Sequence, residues 1–82
     1  MRRFYFHLKA GDELIPDEDG IELPSIDEAK REAILGAREL LADAIKNGKP
    51  KVPEAFVIAD EAGRTLDVVP LFELLPEPLK KK

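Results

Sequence analysis

The sequence has no cysteine and no tryptophan, and it carries one histidine, one tyrosine and one serine among its 82 residues. Without cysteine there are no disulfide staples, thiolate zinc sites, iron–sulfur ligands or cysteine nucleophiles. The single serine, Ser25, leaves little for serine chemistry, and no glycine-rich loop that could cradle a phosphate is present. No apolar run approaches the roughly 18 residues of a spanning helix, and Met1–Leu8 lacks the apolar stretch and cleavage site of a secretory signal, so the expected compartment is the cytoplasm and no membrane partner is expected. Basic residues are outnumbered, 13 against 17 acidic, for a net charge of −4. That balance argues against nucleic acid as a partner, because phosphate neutralisation supplies most of such affinity.

What is present fits one small domain: 44% of positions are hydrophobic, enough for a single core. The domain is expected over residues 1–75, with a flexible charged tail at 76–82. Charge is unevenly spread. Six acids and no base lie between Ala10 and Leu23, whereas Lys46, Lys49 and Lys51 follow one another without an acid and Lys80, Lys81 and Lys82 close the sequence. Such runs ordinarily belong to solvated loops.

Alternation of Phe4, Phe6 and Leu8 with Tyr5, His7 and Lys9 predicts a strand over Arg3–Lys9 with one apolar face. Pro16, Gly20 and Pro24 place a turn from Glu13 onward, feeding a short extended piece at Gly20–Leu23 that pairs antiparallel with the first strand. Ser25 with Glu28 forms a capping box, and Ile26, Ala29, Ala33, Ile34, Ala37, Leu40, Leu41, Ala44 and Ile45 recur at helical spacing. Asn47-Gly48 ends that helix. Gly36 falls on the shoulder of the stripe, where a missing side chain permits close approach, and Leu35 on the opposite, charged face.

Residues 55–60 and 65–69 read as a hairpin closed by Glu61-Ala62-Gly63-Arg64. Simple alternation turns Phe56, Ile58, Leu66 and Val68 toward the helix and leaves Val57, Ala59 and Val69 on the other face. Leu71–Leu75 is an apolar arm, which either folds over that second face with Phe72 as its plug or docks on another chain. The expected architecture is α+β: a two-layer ββαββ sandwich with one long helix on a four-stranded antiparallel sheet of order 2-1-3-4.

Candidate chemistry is thin. Aligning Gly20 with the invariant glycine of an EF-hand loop puts the first and twelfth ligand positions on Ile15 and Ile26, neither of which offers a side-chain oxygen. His7, beside Tyr5, cannot form a multi-histidine site within one chain. No catalytic residue, metal ligand or cofactor is therefore assigned, and the expectation is not an enzyme. The candidate interaction surface comprises Tyr5, His7, Leu35, Val57, Ala59, Val69, Leu71, Phe72 and Leu75, with a homodimer as the leading use of the apolar second sheet face and another protein as the alternative partner.

Phe4-Tyr5-Phe6-His7-Leu8, Asp19-Gly20-Ile21-Glu22-Leu23-Pro24, the Glu/Ala-rich helix and Asp60-Glu61-Ala62-Gly63-Arg64 together resemble a family of short uncharacterised bacterial proteins, classed as a domain of unknown function, from about Arg3 to Pro70. The resemblance implies a bacterial cytoplasmic protein and carries no catalytic residues to transfer. A weaker likeness is to HicB-type antitoxins, through Ser25-Ile26-Asp27-Glu28-Ala29, Asn47-Gly48-Lys49-Pro50, Pro53 and Glu54. That family has a longer hairpin before the helix, and no C-terminal DNA-binding segment is recognisable here. The likeness implies an acidic regulatory subunit that masks a basic protein partner.

Overall fold

A computed structural model describes residues 1–48 and 52–74. The elements are β1 (Arg2–Ala10), β2 (Glu13–Ile15), β3 (Ile21–Leu23), α1 (Ile26–Asn47), β4 (Ala55–Ala59), β5 (Thr65–Pro70) and one 3-10 turn, Phe72–Leu74. Every strand pairing is antiparallel, and α1 lies across one face of the sheet, so the chain is the α+β two-layer sandwich expected. The expected tail, Leu75 and residues 49–51 lie outside the described residues.

The strand order is β2-β1-β4-β5, with β3 also on β1. The single edge strand expected at Gly20–Leu23 is thus two short strands sharing one edge. Glu13–Ile15, read from sequence as turn, pairs with Leu8–Ala10 through the two-residue loop Gly11-Asp12, whereas Ile21–Leu23 pairs with Arg2–Phe4. Pro16 and the acidic turn break the edge between them.

Half of the expected capping box forms: Ser25 is extended and its hydroxyl accepts the Glu28 N–H at 3.3 Å, but the Glu28 carboxylate pairs with Arg31 at 2.9 Å rather than with the cap, while Gly48 closes the other end of the helix in the left-handed conformation. Its buried residues are all alanine, Ala29, Ala33, Ala37 and Ala44. Small side chains let the helix approach the sheet closely, so residues of the sheet and of the segment that follows β5 supply the core volume. Phe4, Ile58 and Leu71 are the largest fully buried side chains, each contributing about 1.5–3 kcal/mol. Ile45, expected on the stripe, is exposed at the helix end.

A bulge changes the facing of β5. Ala59 pairs with Thr65 but Ile58 with Asp67, which leaves Leu66 as an extra residue in the ladder. One inserted residue reverses side-chain parity beyond it. Val69, expected on the outer face, is therefore buried in the core with Phe4, Ala29, Ala33 and Ile58. Leu66 and Val68, expected beneath the helix, are exposed instead. Asp67 turns toward the helix, where its carboxylate meets Lys30 Nζ at 3.0 Å; that bond comes first among the causes that hold Asp67 below its ordinary pKa and raise Lys30 above its own.

Candidate functional site

The face of the sheet away from α1 is built by register. His7, Val57 and Val68 are direct cross-strand neighbours on β1, β4 and β5, and Leu14 of β2 stands beside Lys9 on the same face. Tyr5 stacks on His7, with ring centroids 6.3 Å apart and planes at 19°. Val68 is 46% exposed, Leu14 is exposed, and Tyr5, His7 and Val57 are half-buried.

Not every residue expected on this surface belongs to it. Ala59, opposite Tyr5, is almost wholly covered within the chain and offers no area to a partner. Val69 lies in the core for the reason given above. Leu71 is 1% exposed: its N–H donates to the Glu54 carbonyl at 2.9 Å and its carbonyl accepts from Leu74 N–H, which seats the arm on its own chain. Leu74 packs on the core and the 3-10 turn against α1, so the described part of the arm, residues 71–74, lies on the helix side and does not fold over the second face. Phe72, expected as a plug, is 52% exposed beside a hollow lined by Leu41, Val52 and Pro53. Leu75 falls outside the described residues.

His7 and Asp17 form a staple that sequence reading missed. Between the segments paired to β2 and β3, the edge of β1 has no strand beside it, and a bare Phe6 N–H would result. Asp17 Oδ2 accepts that N–H at 3.1 Å, its Oδ1 accepts from Asp19 and Gly20, and the Asp17 N–H donates to His7 Nδ1 at 2.9 Å. Burial would raise the Asp17 carboxyl, but the N–H groups of Phe6, Gly20 and Asp19, with His7 nearby, hold it below the ordinary 3.8. The acidic turn is thus held by hydrogen bonds to backbone. Among the described residues no group of three or more His, Asp or Glu is placed to hold a metal ion. Gly20 fits beneath this staple: at φ +70° an added Cβ would stand 3.0 Å from the Phe4 carbonyl oxygen and the Tyr5 ring.

Leu35 is 51% exposed on the charged side of the helix, as expected, and there it lines a groove of about 350 Å³ between α1 and the β1–β3 edge, with Phe6, Ile21 and Phe56. Asp17, Glu32 and Glu39 also line it. Gly36 faces Phe56 there: a Cβ would stand 3.5 Å from the ring, an ordinary contact.

Fold and surface together define a small α+β domain in which, among the described residues, one helix covers one face of an antiparallel sheet and no element covers the other. The family model described as Domain of unknown function (DUF6894) matches residues 3–73, and the chain belongs to that family. Neither a curated protein nor a solved structure matches the chain. Among the described residues no helix is long and apolar enough to cross a membrane.

Proposed function

We propose that this chain is a non-enzymatic protein-interaction module that self-associates through the sheet face away from α1. The observation that carries this reading is the row His7–Val57–Val68, extended by Tyr5 and Leu14, over which neither the helix nor the arm folds. The side chains that chemistry would recruit already have structural work: Ser25 caps the helix, and His7 Nδ1 is taken by the Asp17 N–H.

Both sheet edges favour a face over an edge contact. One is interrupted and stapled by Asp17; the other carries the Leu66 bulge, an Asp67 carboxylate that accepts the Val68 N–H at 2.7 Å, and Pro70. Bulges, inward charge and proline are the ordinary guards against strand addition. At about 4.8 Å between strands and 3.3 Å per residue the face spans only about 19 by 17 Å. At about 320 Å² per partner, that is well below a standard interface, so the association it supports is a weak, reversible, concentration-dependent dimer.

Size exclusion with light scattering tests the reading. The wild type is expected to gain mass with concentration, and the Val57→Glu/Val68→Glu variant to stay monomeric. Val68→Lys, at a position already exposed, serves as the milder variant should the double one fail to fold. Association that survives Val68→Lys in a folded protein overturns the proposal.

A further inference from the structure

We infer that the groove between α1 and the β1–β3 edge docks a basic segment of a partner protein, with an apolar side chain between Phe6, Ile21 and Leu35 and flanking lysine or arginine on Glu32 and Glu39. The inference goes beyond self-association and uses different residues. Its first support is shape and lining: the groove is open along the helix flank, has aromatic and aliphatic walls, and at about 350 Å³ sits at the small end of binding clefts. Its second is charge complementarity. All three ionisable lining groups are carboxylates. Asp17 spends its oxygens on backbone N–H groups, whereas Glu32 and Glu39 form no ion pair among the described residues, although neighbouring Lys30 and Arg31 both do.

The occupant binds by side chain rather than as an added strand. Asp17 already holds the Phe6 N–H at the gap in the edge, so no bare backbone is offered there. Glu32 and Glu39 are seven positions apart, two turns or about 10 Å along one helix flank, a span that matches cations on either side of a central apolar residue. Acidic rims of this kind steer basic partners and weaken with salt.

The experiment is amide NMR of the whole chain titrated with a synthetic peptide in which one leucine is flanked by lysines. Two control peptides replace the lysines by glutamate or the leucine by glycine. The expected result is saturable shifts confined to Ile21 and the Glu32–Glu39 stretch, lost with either control and weakened about tenfold or more in Glu32→Lys/Glu39→Lys. Glu32→Gln/Glu39→Gln is the gentler pair should charge reversal disturb the helix. No saturable shift with the lysine peptide, equal shifts with the leucine-free peptide, or shifts centred on Val57 and Val68 would each overturn the inference. The last outcome would leave the self-association reading standing.

Discussion

Asp17 joins the edge strand to the turn that follows it. Its carboxylate replaces the missing strand at the middle of the β1 edge and closes the turn that delivers the chain to β3. Replacing it by alanine leaves the Phe6 N–H without its partner and is expected to destabilise the domain by about 1–2 kcal/mol; asparagine, which keeps an acceptor oxygen, should cost less. The two also separate charge from hydrogen bonding. The folded carboxyl titrates below its ordinary 3.8, so its stabilisation is complete above the unfolded value and lost as pH falls through the folded one. Urea unfolding from about pH 6 to pH 2 should therefore show a steeper loss for wild type than for Asp17→Asn. Parallel curves would contradict the role given to the charge. Asp60 and Asp67, also held low by their partners, keep some acid sensitivity in both proteins.

Among the elements, helix and arm make opposite expectations. Gly36 lies inside α1 with room for a methyl group against Phe56, so Gly36→Ala should raise stability by about 0.5–1 kcal/mol, read as a higher midpoint in thermal unfolding. The arm splits by burial. Leu71→Ala, at a fully buried site, should cost about 2–5 kcal/mol, and Phe72→Ala, half exposed, far less; equal effects in urea unfolding would mean that the arm is not seated as described. These elements also show what the sequence made readable. The helix was legible from cap to cap because its signals are local: Ser25-Glu28 at one end, Asn47-Gly48 at the other, periodic alanines between. The hairpin after it was legible as two strands, but not its facing. Nothing in Thr65-Leu66-Asp67 announces that Leu66 is an extra residue, and that one insertion exchanges Val68 with Val69 between surface and core. Gly11-Asp12 did offer a hairpin signal, outweighed by the nearby proline and acids. Leu35 was placed rightly on the exposed, charged side, but the groove beside it was not legible, because a helix wheel describes one helix alone and the groove is made by the distance between the helix and an irregular edge.

At the scale of the whole molecule, the one helix among the described residues lies on one face of the sheet and leaves the other without a covering element. The arm, the one segment free to do so among the described residues, goes to the helix side instead. Guarded edges, a row in which Val68 is exposed and His7 and Val57 are half-buried, and a small core together favour a domain that gains stability from a copy of itself. Sedimentation equilibrium of the wild-type chain, run from dilute to the highest soluble concentration, tests this most directly. The expected result is a reversible monomer–dimer equilibrium whose average mass climbs toward twice the chain mass. A single monomer mass at every concentration would contradict it.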